Sequence, residues 1–402
     1  MYHLFTQGEY HYSATGLLDT LLSHCIATHV SDVHMEPMAF GIRVRVRVHG
    51  QLVLYDIFES EIARALINRI KVFSGMDTSC THMPQDGAVR LQYEHLLVDV
   101  RVATFPTNGG EKLVLRLLHH ADAASTLHTL GLPDTIRDTC QTICEQQSGF
   151  FVVCGPTGSG KTTTLYALLQ SVRRSQRNVV TLEDPIEYRL SGVTQSLVRQ
   201  EGDFTFARAL RSLLRQDPDV IMIGEMRDRA TAQVALEASL TGHLVFSSLH
   251  TSSAPAALLR FLEMGNDPSM IASCLSGVIG QRLVPRNCNA CVRTVALSAQ
   301  QKSWCDALHW NLATYAHSVG CQACSYTGYS GRVVLAELLL AHKDAMDVVL
   351  QKDITLSSLI KMACNAGMKP MSHSAYDYVE KGYVSLPDIM RLGIPYIPRD
   401  FS

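Results

Sequence analysis

The segment GPTGSGKT, residues 155–162, could bind the phosphates of a nucleotide. It fits the spacing G-x-x-x-x-G-K-[ST], follows the apolar run Phe150–Cys154, and opens a helical stretch at Thr163. Such a loop wraps backbone N–H groups around phosphates, while the lysine adds a charge and the hydroxyl binds Mg²⁺. A glycine-rich turn without a ligand is the alternative, but the flanking strand and helix argue against it. We predict binding of ATP and Mg²⁺ by Gly155, Pro156, Thr157, Gly158, Ser159, Gly160, Lys161, Thr162 and Thr163, with Thr162 on the metal.

Acidic residues follow two further apolar runs and could serve the chemistry of hydrolysis. Glu183 and Asp184 come after NVVTL, and Glu225 comes after VIMIG. Ligands of parallel sheets bind at the carboxyl ends of the strands, so these acids are expected to face the phosphates. Gly224 stands where many phosphate-loop ATPases carry the aspartate that binds magnesium, which leaves Glu225 as the acid at that strand end.

Two histidines, His243 and His250, flank the apolar strand LVFSSL. One or both could detect the γ-phosphate through a hydrogen bond. A histidine with purely structural hydrogen bonds is the alternative, and such residues are common in folded proteins. From the residues alone the two interpretations stay open.

Two C-x-x-C pairs, Cys288/Cys291 and Cys321/Cys324, supply enough thiolates for a tetrahedral zinc site. The gap between the pairs is longer than in most zinc ribbons, and residues 298–312 within it could form a helix with one apolar face. Thiols without a metal, or a disulfide, are the alternatives. Four thiolates leave no position for water, so the predicted Zn²⁺ is structural. The other eight cysteines are interpreted as core or surface thiols.

The elements that must position these residues fall into two patterns. Ahead of residue 118 we expect an α+β domain with two helices, from Ser13 to about Val30 and from Glu59 to Ser74. Two hairpins accompany them, and the first turns at His49-Gly50. Beyond a linker at 119–131, short apolar runs alternate with helical stretches, which is typical of a parallel sheet with crossover helices.

Composition and charge narrow the class of protein. The chain has 402 residues, 35 Lys and Arg against 37 Asp and Glu, and a net charge of -2, so no overall field attracts nucleic acid or anionic lipid. The start has no basic segment followed by an apolar one, and no window of 18 apolar residues exists. We therefore expect a cytoplasmic protein that neither is exported nor spans a membrane.

Together these motifs resemble the type II secretion / type IV pilus assembly ATPase family (GspE/PilB-like). The matching stretches are SDVHMEP (31–37), RVRVHG, MPQDG (83–87), VDVRVATFPT (98–107), TLEDPIEY (181–188), LRSLLRQDPDVIMIGEMRD (210–228) and TGHLVFSSLHT (241–251). The resemblance implies a homo-hexameric ATPase motor with a RecA-like core. It also implies action on an inner-membrane platform protein, with peripheral association at the inner membrane through partners.

Site residues are implied by the same resemblance. Glu183 activates the attacking water with support from Asp184, Glu225 holds Mg²⁺, and His243 and His250 belong to the family's histidine box. Arg101 and Arg116 match arginines that neutralise γ-phosphate charge, although a strand-surface arginine is more often simply solvated. The sequence departs from the family pattern at four positions: His49, Thr81, His82 and Ala88. The cysteine module resembles that of assembly ATPases and favours assembly over retraction.

We divide the chain into a PAS-like α+β domain (1–118), a linker (119–131), a RecA-like ATPase domain (132–285), a tetracysteine zinc module (286–332) and a helical subdomain (333–402). Larger family members carry an N-terminal docking domain. This chain begins near the helix before SDVHMEP, so we expect direct recruitment by the platform protein.

Two other functions compete with the motor that the resemblance implies. A nucleic-acid motor could use the stripe Arg43, Arg45 and Arg47, although no aromatics interleave with it and we expect no nucleic-acid partner. A non-hydrolysing assembly subunit is the other alternative, because the family's paired arginines are absent.

Overall fold

The computed structural model describes residues 2–3, 13–94, 96–119, 125–172, 177–198, 204–341, 343–351 and 354–394. Most of the predicted linker's first half, residues 120–124, lies outside these ranges. The chain divides into two compact units. One unit contains residues 1–124 with the short segment 320–329, and the other contains residues 125–319 and 330–402.

The first unit is an α+β structure built on one mixed sheet. Among the described residues the strand order is β1-β5-β6-β7-β2-β3-β4, with β1 parallel to β5 and the remaining recorded pairs antiparallel. Its elements are β1 (Tyr2–His3), α1 (Ala14–Ala27), β2 (Asp32–Met38), β3 (Gly41–Val48), β4 (Gln51–Glu59), α2 (Ser60–Phe73), β5 (Gln85–Tyr93), β6 (Leu96–Thr107) and β7 (Gly110–His119).

Alternation of side chains along the strands gives this sheet one apolar and one polar face. On β3 the four aliphatic side chains of residues 42, 44, 46 and 48 are buried, and the intervening arginines lie on the other face. The turn after β3 uses left-handed backbone at His49 (φ 49°) and Gly50 (φ 89°), as expected for a two-residue hairpin. Helices α1 and α2 bury their apolar sides in the same core as the strands. Both predicted helices and both hairpins are confirmed.

The second unit contains the predicted α/β core. Its sheet has the order β10-β9-β11-β12-β8-β13-β16, and every pair from β10 to β13 is parallel. The elements of the core are α3 (Asp134–Glu145), β8 (Gly149–Cys154), α4 (Lys161–Val172), β9 (Val179–Glu183), β10 (Thr194–Leu197), α5 (Phe206–Leu213), β11 (Val220–Ile223), α6 (Arg229–Leu240), β12 (Leu244–Leu249), α7 (Ala254–Glu263), α8 (Pro268–Cys274), β13 (Leu275–Asn287) and β16 (Tyr329–Leu340).

Helices cover both faces of this sheet, so strands β8, β9, β11 and β12 are buried along their whole length. Phe150 and Val152 of β8 pack in one layer with α5, α6 and α7, whereas Phe151 and Val153 pack in the opposite layer with α3 and α4. Because the strands are parallel, the segments that follow β8, β9, β11 and β12 leave the same edge of the sheet. The predicted α/β phosphate-loop core is confirmed.

Smaller elements complete the second unit. They are β14 (Val292–Ala296), α9 (Ala299–Ala307), β15 (Thr314–Ser318), α10 (Lys343–Val349), α11 (Leu356–Asn365), α12 (Met371–Glu380) and α13 (Leu386–Arg391), whereas a 3-10 turn (Gln322–Cys324) lies in the segment 320–329. Helix α9 forms where the gap between the cysteine pairs predicts one, and a capping box at Ser298 starts it. Trp310 packs with α12 and α13 in a separate small core, while α11 packs on the main sheet.

Within the described part of the chain, none of the helices combines the length and the apolar character that crossing a bilayer requires.

Candidate active site and metal centre

The phosphate loop leaves β8 at the carboxyl edge of the sheet and leads into α4. Gly155 has φ 155°, and a Cβ there would lie 2.4 Å from the Gln281 carbonyl oxygen and 2.5 Å from Ser159 Oγ. Gly158 (φ 78°) and Gly160 (φ 89°) adopt left-handed backbone that favours glycine. The loop therefore has its tight wrapped shape because of these three glycines.

Lys161 lies in the bend of this loop. Its Nζ donates to the Gly155 carbonyl oxygen at 2.8 Å and to the Pro156 carbonyl oxygen at 3.0 Å. Burial lowers the pKa of this ammonium, whereas the nearby Glu225 acts in the opposite direction. Ser159 Oγ is buried and has no hydrogen-bond partner among the described residues. A buried cation and an unsatisfied buried hydroxyl in a glycine-rich loop fit a phosphate group.

Gln281 on β13 supports the loop from the neighbouring strand, a role that sequence reasoning missed. Its side-chain Nε2 donates to the Ser159 carbonyl oxygen at 2.8 Å, and its Oε1 accepts from Thr164 Oγ1 at 2.9 Å. The side chain is buried with both of its polar atoms satisfied. A glutamine inside an apolar strand was the only sequence signal, and its partners are 117 and 122 residues away.

Glu183 ends β9 and is buried among hydrogen-bond donors. Its carboxylate accepts from Thr181 Oγ1 at 2.5 Å, from Gln195 Nε2 at 3.1 Å, and from the Tyr166 hydroxyl. Burial raises the pKa of Glu183, and the three hydrogen bonds oppose that rise. Asp184, the next residue, is exposed. The carboxylate is thus held in one orientation by a strand neighbour, by β10 and by the helix that follows the phosphate loop.

Glu225 follows β11 and lies in a cluster of charged side chains. Arg227 forms an ion pair with its carboxylate, and His250 Nε2 lies 3.7 Å from its Oε2. Burial and then Lys161 lower the pKa of His250, against the pull of Glu225. Thr162 is exposed at the start of α4. Carboxylate and hydroxyl oxygens suit Mg²⁺, so Thr162 and Glu225 could hold it. Sequence reasoning did not single out Arg227.

The two predicted histidines occupy opposite ends of β12. His250 follows the carboxyl end, where the phosphate loop also leaves the sheet, whereas His243 precedes the amino end. His243 Nδ1 lies 2.8 Å from the Ala238 carbonyl oxygen, near the last turn of α6. The structure therefore does not bring His243 to the phosphate loop, and its geometry is that of a structural histidine. The hypothesis that it detects γ-phosphate is corrected on that ground.

Arg101 and Arg116 lie side by side in the first unit. They are cross-strand partners on β6 and β7, and they line a cavity of about 600 Å³ together with Asp86 and Ala88. Arg116 Nε also donates to Asp32 Oδ1 at 2.9 Å. The structure thus brings the two predicted arginines together, and the cavity extends to the strand on which Ala88 stands in place of a family arginine.

The four predicted cysteine ligands form one cluster. The ligand atoms of Cys288, Cys291, Cys321 and Cys324 all lie within 4.8 Å of one another. Sulfurs of a tetrahedral zinc site with Zn–S bonds of ~2.3 Å are about 3.8 Å apart, and the Sγ atoms of Cys321 and Cys324 are 3.8 Å apart. The backbone N–H groups of Cys321 and Gly328 point to Cys324 Sγ, each at 3.2 Å. The donor set and spacing fit zinc.

The antiparallel strands β14 and β15 explain how the long gap between the pairs closes. Val292, next to Cys291, pairs with Ser318, three residues before Cys321. The remaining eight cysteines lie outside this cluster, and all of them except Cys80 are buried. Burial raises the pKa of Cys140 to about 12, as expected for a core thiol.

A phosphate loop after one strand of a parallel sheet, with acids at the ends of two neighbouring strands, defines the class of P-loop ATPases. The comparisons with known proteins identify the family within that class. A profile described as Type II/IV secretion system protein matches residues 9–391. The chain therefore belongs to the Type II/IV secretion system protein family, and it is a secretion ATPase, as the sequence motifs predict.

Relatives of similar sequence agree with this membership. "Type II secretion system ATPase E" of Vibrio cholerae is 38% identical over 376 residues, which cover 94% of this chain and 74% of the relative. "Type II secretion system protein HxcR" of Pseudomonas aeruginosa is 39% identical over 94% of this chain and 76% of its own length.

Solved structures share the fold. The Legionella pneumophila ATPase DotB matches with a TM-score of 0.70 at 21% identity, over 97% of this chain and 98% of DotB. The pilus retraction motor PilT with bound ADP matches with a TM-score of 0.61 at 25% identity, over 94% of this chain and 97% of PilT. The DotB match shows the fold alone.

Proposed function

We propose that this protein is a homo-hexameric, ATP-hydrolysing motor that drives the assembly of a type II secretion pseudopilus or a related type IV pilus or competence pseudopilus. It acts from the cytoplasmic side on an inner-membrane platform protein and associates with the membrane through partners. The observation that carries the proposal is the 38% identity to a type II secretion ATPase along 94% of the chain.

The site residues have distinct proposed roles in ATP hydrolysis. Residues 155–163 bind the phosphates, and Lys161 leaves its two carbonyl contacts to neutralise the β and γ phosphates. Mg²⁺, once bound by Thr162 and Glu225, would supply charge compensation at the phosphates. Glu183 accepts the proton of the attacking water, and its raised pKa suits a general base. His250, at the carboxyl end of β12, is proposed to contact the γ-phosphate, whereas His243 lies at the other end of that strand.

Arg101 and Arg116 are proposed to neutralise charge that develops on the γ-phosphate. The two residues lie on neighbouring strands, Arg101 half-buried and Arg116 exposed, and both line the same cavity. Zn²⁺ in the cysteine cluster is proposed to be structural, and it would hold the two C-x-x-C turns together. The domain boundaries given by the sequence remain part of this proposal.

The nucleic-acid motor is the weaker alternative, because all three arginines of the stripe already form ion pairs within the sheet. Arg43 and Arg45 both bind the Glu36 carboxylate, at 2.8 and 2.6 Å, and Arg47 lies 3.6 Å from Asp32. A surface that binds a nucleic-acid backbone keeps its cations available for phosphates and releases counterions on binding. The stripe therefore favours a structural role within the sheet.

Stimulated ATP turnover of the zinc-replete, 402-residue chain tests the proposal. ATP hydrolysis is measured with Mg²⁺ alone, with the cytoplasmic domain of a type II platform protein, and with single- or double-stranded DNA, while mass photometry reports the oligomer. We expect hexamers with nucleotide and stimulation by the platform domain only. Glu183→Gln is the control that abolishes turnover while nucleotide stays bound.

Two results would reject the proposal. Stimulation by DNA that equals or exceeds that by the platform domain would favour the nucleic-acid motor. Turnover of the unaltered chain no greater than that of Glu183→Gln, despite nucleotide binding, would favour a non-hydrolysing subunit.

A further inference from the structure

Glu337 on β16 is a buried carboxylate with no role in the proposed chemistry. Its side chain is only 2% exposed, and it lies two strands away from β8. Burial raises the pKa of Glu337, although two backbone N–H donors oppose that rise. An acid in such surroundings is costly unless it is well hydrogen-bonded, so its contacts define what it does.

The two oxygens of Glu337 cap two different helices. Oε1 accepts from the backbone N–H of Ala254 at 2.8 Å, and Oε2 accepts from the backbone N–H of Met371 at 3.0 Å. These are the first residues of α7 and α12. Pro370 precedes α12, and its side chain makes no hydrogen bond that would cap the helix. One carboxylate therefore meets the unsatisfied N–H groups and the positive dipole ends of both helices.

Helix α7 begins directly after the segment that carries His250. Only residues 251–253 separate His250, which lies 3.7 Å from Glu225, from the N–H group that Glu337 binds. The position of α7's first turn therefore sets the position of this short segment and of its histidine. Glu337 is fixed to the sheet by β16, so it links the segment to the sheet and to α12.

The strand between β16 and β8 is shaped to admit this contact. A Cβ at Gly280 of β13 would lie 3.0 Å from Glu337 Oε1 and 3.1 Å from the Ala254 nitrogen. The next residue along β13 is Gln281, which supports the phosphate loop through Ser159. Neighbouring positions of one strand thus hold the phosphate loop and make room for the Glu337 contact.

We propose that Glu337 is a positioning residue for ATP hydrolysis, which fixes the His250 segment against Glu225 by capping α7 and couples that segment to α12. It touches neither nucleotide nor metal and acts only through the backbone that it binds. The inference rests on the proposed ATPase function, since it concerns the turnover of the same site.

Glu337→Gln tests the inference with the smallest change of shape. A neutral amide offers one acceptor oxygen instead of two, and its NH₂ group opposes one of the two backbone N–H donors. We expect kcat for ATP hydrolysis to fall about tenfold through misplacement of the segment. The affinity for a fluorescent ADP analogue should change less than about twofold, because the phosphate loop keeps its Gln281 support.

Gly280→Ala disturbs the contact between Glu337 and Ala254 without removing the carboxylate. Its kcat therefore tests the positioning role if Glu337→Gln does not fold. It should lower kcat in the same direction. Asp267→Asn is the matched control, since Asp267 Oδ1 caps α8 by accepting from Ser269 N at 2.7 Å and Met270 N at 3.2 Å, away from the site. It should lower the melting temperature and leave kcat unchanged.

The outcomes separate this inference from the proposed function. Wild-type kcat in folded Glu337→Gln and Gly280→Ala overturns the inference, and so does an equal loss of kcat in Asp267→Asn. Absence of ATP turnover in the unaltered protein rejects the proposed function itself. A kcat loss confined to the first two variants, with ADP affinity retained, supports the positioning role.

Discussion

Tyr166, on the helix that follows the phosphate loop, donates its hydroxyl hydrogen bond to Glu183 at the end of β9. The contact joins the element that would hold the nucleotide to the acid proposed to activate water. Thr181 and Gln195 hold the same carboxylate, at 2.5 and 3.1 Å. A general base must be oriented, and these three hydrogen bonds fix the orientation of the Glu183 carboxylate while they oppose the rise that burial causes in its pKa.

Tyr166→Phe should lower kcat and move its pH dependence. The Tyr166 hydrogen bond lowers the pKa of Glu183 against the effect of burial, so its loss raises that pKa further. Because the proposed base must be ionised, the acidic limb of the kcat–pH profile should shift to higher pH. We expect kcat at neutral pH to fall about tenfold.

Tyr378→Phe provides the control, because Tyr378 lies on α12 and contacts Tyr383 rather than the acid. It should leave both kcat and the acidic limb unchanged. An unshifted limb in Tyr166→Phe would argue against Glu183 as the base.

Glu36 should stabilise the first unit in a pH-dependent way. Burial raises the pKa of its carboxyl, but hydrogen bonds from Arg45 and Arg43 outweigh that effect and lower the pKa to about 2. A carboxyl with a lowered folded-state pKa contributes its full stability above its ordinary value, near 4.5, and loses it as the pH falls toward 2. Glu36→Gln should therefore cost about 2 kcal/mol at pH 7 and less at pH 3.

Urea unfolding of the full chain at the two pH values measures this effect. Glu61→Gln, at an exposed position in the first turn of α2, is the control and should show a small, pH-independent change. A Glu36→Gln deficit of equal size at pH 3 and pH 7 would show that the ion pairs do not lower this pKa.

The cysteine cluster should bind one zinc ion per chain. Cys324 receives two backbone N–H groups at its sulfur, so Cys324→Ser removes both a ligand and its oriented contacts. We expect elemental analysis to find one zinc in the unaltered protein and much less in the variant, which should also melt at a lower temperature. Cys80→Ser should keep the metal, because Cys80 lies outside the cluster. Zinc content that Cys324→Ser does not change would contradict the assignment.

The sequence predicts those parts of the fold in which local pattern and structure coincide. Alternation along β3 identified a strand with one apolar face, and the His49-Gly50 dipeptide identified its turn. Glycines, lysine and hydroxyls at fixed offsets identified the phosphate loop because one short segment builds that site. The cysteine pairs were found for the same reason, since ligand type and spacing within each pair are local.

Contacts between distant segments are what the sequence did not predict. Gln281 is 122 residues from the Ser159 carbonyl that it supports, and Glu337 is 83 residues from Ala254. His243 shows the reverse error, because motif membership suggested a phosphate contact although a strand separates the two histidines by its whole length. Which end of a strand faces the ligand depends on the direction of the strand in the sheet.

ATP turnover by Lys161→Ala, compared with the unaltered chain, tests the central claim most directly. The account predicts that the unaltered, zinc-replete protein releases phosphate from ATP only when Mg²⁺ is present. The variant should lose at least about a hundredfold of this rate, because it lacks the ammonium that the loop holds through the Gly155 and Pro156 carbonyl oxygens. Phosphate release at an undiminished rate in Lys161→Ala, or without Mg²⁺, would contradict the account.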